Sequence, residues 1–392
     1  MQGVIYHDEA FEKAWSELVA RITVLCEKAV VQRDAAWYEA RRRTIGGSEV
    51  YKLMGLPGKD TPYMLAKQKI EGNPKEIDLK TSFREMTTAP YLPYESVETM
   101  FSSGFQTLVF HKMHTAMSCG LAMHWGGVFE DVINEYMKIT YGMRISCENL
   151  FYNPPGPFSY SPDGVTMLPG PDGKATPTLL EYKCPFTRVP GSTIPAEYVA
   201  QMCAGMELLN LSQTLYTEAV FRLCPWEHLD ASTVCRLDLR STMRYQTNAP
   251  LACGFFGIYA KPGTLEEPSF LCLGSSSVDD ITAMFSMIAA GVLWVWYSPV
   301  CPDVSNAKEF LKESLEKFKT FCGGDHDAVG IMPWKLFSVT SKIVNRHPGY
   351  LEPWRDAGEK ILSIIKRCMD SPRPLDRLAA ETCMLSSESE SE

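Results

Sequence analysis

Ser-Pro-Asp-Gly at 161–164 and Glu-Tyr-Lys at 181–183 are the segments of this chain best suited to carry chemistry. Between them runs Pro169-Gly170-Pro171-Asp172-Gly173, a dense cluster of turn formers. The flanking segments, Ser159–Leu168 and Thr178–Cys184, therefore read as the two strands of a hairpin. Asp163 and Glu181 are symmetric about position 172. A symmetric hairpin sets them across from each other, where Cβ atoms lie about 4.5–5.5 Å apart. Strand side chains alternate with period two, so Glu181 and Lys183 share a face. Two carboxylates and an ammonium are thus expected in one small volume.

Mg²⁺ takes hard oxygen ligands, usually one or two carboxylates completed by water and substrate phosphate. Asp163 and Glu181 would supply the carboxylates, and the main-chain carbonyl of Tyr182 is a candidate third oxygen. A lysine beside the ion can hold and help deprotonate an attacking water, or stabilise charge in the transition state. Together these are the parts of metal-assisted phosphodiester hydrolysis, with Mn²⁺ expected to substitute for Mg²⁺. Taken singly, each charge would be a solvated strand residue. Leu179-Leu180 and Cys184-Pro185 make the second strand look buried, however, and charges on a buried strand are costly unless paired or metal-bound.

The elements that must hold this hairpin can be read from periodicity. Residues 8–43 favour helix, with Phe11, Trp15, Leu18, Val19 and Ile22 at helical spacing. Gly46-Gly47-Ser48 interrupts, and Ser48 is placed to cap a short helix through Val50, Leu53 and Met54. A helix is expected over Tyr63–Ile70. From Trp125, apolar residues at three- and four-residue spacing predict an amphipathic helix ending near Gly142. After the hairpin, Pro195 can begin a helix that Tyr198–Leu209 continues. Thr214–Leu223 and Cys253–Ala260 read as strands. Asp280–Trp296, Ala307–Phe321 and Trp354–Met369 read as helices, and the acidic tail SSESESE as disordered.

The composition is that of a globular protein, and the net charge of −9 argues against a passive coat on DNA, where affinity comes from many Lys and Arg. It argues less against an enzyme that grips a few phosphates. The 13 cysteines are never closer than Cys224 and Cys235. No CxxC pair exists, so a thiolate zinc site is not expected. Scattered cysteines without a visible signal peptide predict an intracellular, reducing compartment. Ile281–Val300 is uncharged and long enough to span a bilayer, but its flanks lack Lys/Arg asymmetry. A buried core helix, and no membrane association, is the expectation.

Ser-Pro-Asp-Gly followed by an apolar pair and Glu-x-Lys-Cys-Pro resembles the PD-(D/E)XK nuclease superfamily. More narrowly, it resembles the lambda exonuclease/YqaJ-like viral recombinase group and the alkaline nucleases of large DNA viruses. Four further segments fall in that group's order. They are Trp37-x-x-x-Arg41 with Ile45-Gly46-Gly47-Ser48; Thr61-Pro62-Tyr63 through Lys67 and Gly72; Trp125-Gly126-Gly127-x-x-Glu130; and Tyr198-x-x-Gln201. The resemblance covers about residues 35–300. It implies that Glu130 completes the acidic cluster, that Gln201 orients the water or a phosphate near Lys183, and that Arg41 and Ser48, with Tyr198, contact substrate phosphate. It also implies a 5′–3′ exonuclease on duplex DNA ends, working in viral recombination or DNA processing beside a single-strand annealing protein, in a host nucleus or cytoplasm.

The fold expected is α/β, a restriction-endonuclease-like core with a mixed central sheet flanked by helices. Residues 1–300 would form the nuclease domain, with an insertion at about 73–124. Residues 301–385 would form a helical C-terminal extension and 386–392 the disordered tail. Both additions depart from compact phage relatives and leave the oligomeric state open. His111, His114, Cys119 and His124 in the insertion match no strong metal spacing. Two other readings stay open: an endonuclease or RNase on the same fold, and a catalytically inactive DNA-end-binding scaffold.

Overall fold

The computed structural model describes residues 9–26, 35–54, 61–71, 121–148, 150–169, 174–186, 190–230, 249–262, 271–272, 284–285, 287–288 and 293–388. The expected insertion lies outside the described residues, except for its last four, which begin a helix. So do the hairpin's turn residues 170–173.

Two helices open the chain, α1 (Glu9–Cys26) and α2 (Ala35–Arg42). Strand β1 (Ile45–Gly46) pairs in parallel with β2 (Phe158–Ser159), and a 3₁₀ helix (Gly47–Met54) leads to α3 (Pro62–Glu71). Ser48 therefore sits inside the 3₁₀ helix rather than before a helix as a cap. Glu49 does the capping work, its Oε2 accepting from the Gly46 N–H at 2.8 Å. The predicted amphipathic helix is α4 (Leu121–Tyr141), and Gly142 closes it at φ 64°.

The central sheet has seven described strands in the order β3-β4-β5-β9-β6-β8, with β7 beside β9. Its first half is the hairpin β3 (Gly164–Pro169) and β4 (Ala175–Lys183), with β5 (Gln213–Leu223) parallel to β4. The crossover from β4 to β5 is α5 (Ala196–Leu208), with Pro195 at its N-cap. Strands β6 (Ala252–Ala260), β7 (Leu271–Cys272) and β8 (Trp294–Tyr297) complete the far half. The expected first hairpin strand is shorter than the sequence suggests. The chain leaves extended pairing after Tyr160, which bridges Tyr152, and resumes it at Gly164, because Ser161 to Asp163 turn into the site described below.

Two expectations for the C-terminal part are corrected. The region beyond 300 is not a helical extension packed on a finished core. It supplies β9 (Asp327–Asn345), which lies between β5 and β6 and is antiparallel to both. Without β9 the sheet would be cut in two. Flanking it are α6 (Ala307–Asp325), α7 (Arg355–Met369) and α8 (Pro374–Glu388), the last running into the tail expected to be disordered. In the uncharged 281–300 run, residues 284–285 and 287–288 are helical, but Trp294–Tyr297 are strand β8 paired with β6. The aromatic and β-branched Trp-Val-Trp-Tyr sequence favours the pleated surface. Among the described residues, no helix is long and apolar enough to cross a membrane.

Alternation along β4 sorts the core into layers. Leu180 and Tyr182 face α4, where Trp125, Phe129 and Ile133 pack with Phe221, Phe256 and Trp334. Phe129 stacks on Phe221 at 4.2 Å between centroids. Leu179 faces the opposite layer with Met202 and Met206 of α5 and Phe11, Leu18 and Ile22 of α1. Burying each of these large side chains contributes about 1.5–3 kcal/mol, which is what fixes the register of the strand carrying Glu181.

Candidate active site

The hairpin register pairs Gly164 with Leu180 and Pro169 with Ala175. Continued by one residue, it sets Asp163 opposite Glu181, just past the end of β3. The main-chain N–H of Tyr182 donates to Asp163 Oδ2 at 2.6 Å, and Asn134 Nδ2 of α4 donates to the Asp163 carbonyl at 3.1 Å. Glu181 is fully buried. Its Oε2 accepts from the Tyr160 hydroxyl at 2.7 Å, and its Oε1 accepts from Lys183 Nζ. Lys183 Nζ also lies 5.1 Å from the ring centroid of Tyr198 on α5.

The charged groups act strongly on one another. Burial pushes the Asp163 carboxyl well above its ordinary value, and Glu181 and Glu130 push it further, against the pull of Lys183 and the Tyr182 N–H. Burial alone would lower the Lys183 ammonium, but Glu181, Asp163 and Glu130 outweigh it and raise it. Cys184 reports the same field: burial, then Glu130 and Asp163, push its thiol well up. Lys183 is thus paired with Glu181 and lies in the field of Asp163 and Glu130 at the edge of an apolar core. Among the described residues, no group of three or more His, Cys, Asp or Glu side chains is already arranged to hold a metal ion. The carboxylate oxygens of Glu181 are instead engaged by Tyr160 and Lys183.

Glu130 comes from the middle of α4, one turn before Asn134, so the pair lies on one face of that helix. Gln201 lies one turn beyond Tyr198 on α5, hence on the face that meets Lys183. Among the described residues, no hydrogen bond joins Gln201 to the cluster.

Arg41 and Ser48 meet at the second part of the site. The Arg41 guanidinium lies 4.7 Å from the Trp37 ring centroid, and its Nη2 is 3.4 Å from Ser48 Oγ. A buried ion pair holds this segment: Lys69 Nζ reaches Glu49 Oε2 at 2.7 Å and the Arg41 carbonyl at 2.6 Å. Any side chain at Gly46 would meet Arg41 Nη2 and Glu49 Oε2, each 3.2 Å from its Cβ. Trp37 Nε1 donates to Ser161 Oγ at 3.2 Å, tying α2 to the Ser-Pro-Asp-Gly turn. The arginine and serine are thus docked against the hairpin that carries the acids.

Four residues of this arrangement escape sequence reasoning: Tyr160, Asn134, Glu49 and Lys69. Lys69 is in helical register with the expected Tyr63–Ile70 helix and carries no local sign of burial. The Glu49 side chain lies just past the Gly-Gly-Ser run, where a carboxylate three residues after a main-chain N–H at a helix start is a recognisable capping partner. Tyr160 and Asn134 look like ordinary core and surface positions.

Residues 36–210 match the model of the YqaJ-like viral recombinase domain. Over 387 residues the chain is 22% identical to a protein of African swine fever virus (strain Badajoz 1971 Vero-adapted), covering 90% of this chain and 91% of that protein. The same-named protein from the viral isolate Tick/Malawi/Lil 20-1/1983 is likewise 22% identical over 381 residues, with 90% and 91% covered. Among solved structures, the alkaline exonuclease LHK-Exo from Laribacter hongkongensis is similar at 16% identity, over 48% of this chain and 74% of that one, with a TM-score of 0.26. Its complex with dAMP gives 17% identity, 47% and 73% coverage, and a TM-score of 0.29. The matched region contains Arg41, Ser48, Glu130, Asp163, Glu181, Lys183, Tyr198 and Gln201. Residues 36–210, which carry the whole acidic cluster and its arginine, are thus similar to the YqaJ-like viral recombinase domain.

Proposed function

We propose that this protein is a Mg²⁺-dependent nuclease that hydrolyses DNA phosphodiesters, degrading duplexes from their 5′ ends during viral DNA recombination or processing. The match of residues 36–210 to the YqaJ-like viral recombinase domain supports a nuclease acting on DNA. The single observation that carries the metal-dependent reading is the convergence of Asp163 and buried Glu181 across the hairpin, with Lys183 on Glu181 and Glu130 close enough to act on both Asp163 and Lys183. Adjacent carboxylates of this kind are the ligands a hard divalent cation takes.

The donor set fits Mg²⁺. Asp163 and Glu181 would hold the ion, with Glu130 adding charge from α4 and the Tyr182 carbonyl as a further oxygen. A strand residue's N–H and C=O point to the same neighbouring strand. The Tyr182 N–H on Asp163 therefore supports a carbonyl directed to the same side. When bound, the ion would supply Lewis acidity toward the phosphoryl oxygen and a water of lowered pKa.

The other groups then have distinct work. Lys183, held among carboxylates, stays protonated until a cation competes for them. It is suited to hold the attacking water and to offset charge on the phosphoryl group. Gln201, an uncharged donor and acceptor on the same side as Tyr198, is suited to orient that water. Arg41 offers a planar fork to a phosphate, and Ser48 a hydroxyl beside it. A terminal 5′ phosphate seated there would set the scissile bond over the hairpin.

Incubating the purified protein with linear duplex, nicked circle, covalently closed circle and RNA of the same sequence tests the polarity and substrate together. Stepwise mononucleotide release from 5′-phosphorylated linear duplex, with closed circles intact, is the expected pattern. Cleavage of closed circles or of RNA alone would contradict the end-directed DNA reading.

A further inference from the structure

Glu181 has no exposed surface, so both oxygens of its carboxylate must find partners inside the protein. Lys183 takes Oε1 and the Tyr160 hydroxyl takes Oε2 at 2.7 Å. Lys183 reaches the carboxylate through a long flexible stem and is partly exposed, so it can yield its oxygen to a cation. Tyr160 cannot move away so easily. Its main chain exchanges both hydrogen bonds with Tyr152, at 2.9 and 2.8 Å. Its ring is wedged between two glycines from separate elements. A Cβ on Gly47 of the 3₁₀ helix would fall 2.4 Å from Tyr160 Cδ2, and one on Gly205 of α5 would fall 2.3 Å from Cζ. Neither position can carry a side chain while the ring stands where it does.

We propose that Tyr160 is a positioning residue: its hydroxyl fixes the Glu181 carboxylate for metal binding, and its wedged ring ties that carboxylate to the Gly46-Gly47 segment and to α5. This rests on the metal-dependent nuclease reading given above. Gly47 adjoins Gly46 and Ser48, the latter the hydrogen-bond partner of Arg41, while α5 carries Tyr198 and Gln201. One aromatic ring therefore touches the phosphate-facing segment, the glutamine helix and, through its hydroxyl, the buried acid. A bare phenylalanine would fill the same space in the core but would leave Oε2 of a buried carboxylate without its donor.

The test uses the full chain and its Tyr160→Phe variant, with Mn²⁺ as the probe, followed by the electron paramagnetic resonance of free ion in the absence of DNA. Outer partners of metal ligands typically change affinity or activity by about 10–100-fold. We expect Tyr160→Phe to bind Mn²⁺ at least about tenfold more weakly, and to lower kcat on DNA with KM unchanged. Gly205→Ala keeps the hydroxyl but displaces the ring, and should weaken Mn²⁺ binding in the same direction. Unchanged Mn²⁺ affinity and kcat in folded Tyr160→Phe, with only a lower Tm, would overturn the proposal and leave Tyr160 a core residue. Should that variant not fold, 3-fluorotyrosine placed at position 160 of the otherwise unaltered protein reads the same bond. Its ¹⁹F resonance should shift on adding Mg²⁺, and an unmoved resonance counts against the proposal. If the unaltered protein binds Mn²⁺ without cleaving nucleic acid, the nuclease reading fails while the affinity ratio still judges Tyr160. If it binds no Mn²⁺ at all, both fall.

Discussion

The main-chain N–H of Tyr182 donates to Asp163 Oδ2 at 2.6 Å, so the acid on one limb of the hairpin is held by the backbone of the other. That bond keeps Asp163 beside Glu181 despite like charge, and burial and the neighbouring carboxylates raise its pKa well above the ordinary value. The sign of the linkage follows. A carboxyl whose folded pKa is raised binds its proton more tightly in the folded state. Stability of the metal-free protein therefore falls as pH rises from the unfolded carboxyl pKa through the raised folded one, and then levels.

Asp163→Asn should flatten that decline, because the amide can still accept from Tyr182 N–H but carries no charge. In EDTA at neutral pH we expect its Tm to rise by about 1–2 °C, on the order of 1 kcal/mol, while Mn²⁺ binding is lost. Thermal melts from about pH 4 to 8 with and without Mg²⁺ check both. An unchanged or lower Tm in EDTA would contradict the raised pKa of Asp163.

Lys183→Ala removes the cation paired with Glu181. Duplex binding should persist, since Arg41 and Ser48 are untouched, whereas single-turnover cleavage should fall by about 10²–10⁴-fold, the range of a positioned proton-handling or charge-stabilising group. Quenched-flow cleavage beside a fluorescence-anisotropy titration separates the two. Cleavage at the original rate would remove Lys183 from the chemistry.

Arg41→Lys keeps the charge and loses the fork. A hydrogen bond to a charged group is worth about 1.5–3 kcal/mol. The preference for a 5′-phosphorylated over a 5′-hydroxyl end should accordingly drop by about tenfold or more. The comparison requires only kcat/KM on the two ends. An unaltered preference would place end recognition elsewhere.

The Glu49–Lys69 pair supports that arginine from behind. Burial would push the Glu49 carboxyl up, but Lys69 and Arg41 outweigh it and hold it below the ordinary value. For Lys69, burial outweighs the attraction of Glu49, and the ammonium is lowered. The pair thus gives little net stability, and its role is to hold Gly46 and the Arg41 carbonyl. Breaking it is another matter. Glu49→Gln leaves Lys69, whose side chain is 6% exposed, as a buried charge without its counter-ion, at a cost of about 3–5 kcal/mol. The depressed Glu49 contributes stability above its unfolded pKa that is lost as pH falls through the folded one. The acid limb of the wild-type stability curve should therefore be steeper than that of Glu49→Gln. Urea titrations between about pH 3 and 7 measure both, and a cost well under about 1 kcal/mol would argue that the pair is solvated.

The hairpin, α4 and α5 are legible in the sequence because each has a strong local cue: a five-residue turn cluster, an apolar repeat, a proline at a helix start. The hairpin's register is legible too, since Asp163 and Glu181 are equidistant from the turn. β9 is not. Its first half is largely buried on both faces and interrupted by Gly330, Pro333 and Lys335, and proline in a central strand argues against one. The pairings on both sides carry register shifts, at Val220/Phe221 and Ile258/Tyr259, while Pro333 pairs with Phe255 in unbroken register. Trp294–Tyr297 is hidden inside a long uncharged run whose length suggests a single helix. In the site, the charged residues can be found by spacing and resemblance. Tyr160 cannot, because its placement depends on Gly47 and Gly205, which only the fold brings to its two sides.

The most direct test of the central claim is cleavage of a 5′-phosphorylated linear duplex by the purified protein, titrated with Mg²⁺ and then with excess EDTA. The account predicts mononucleotide release that appears with Mg²⁺, is restored by Mn²⁺ and stops with EDTA. Cleavage that persists unchanged in EDTA, or none at any Mg²⁺ concentration by protein that still binds DNA ends, would contradict it.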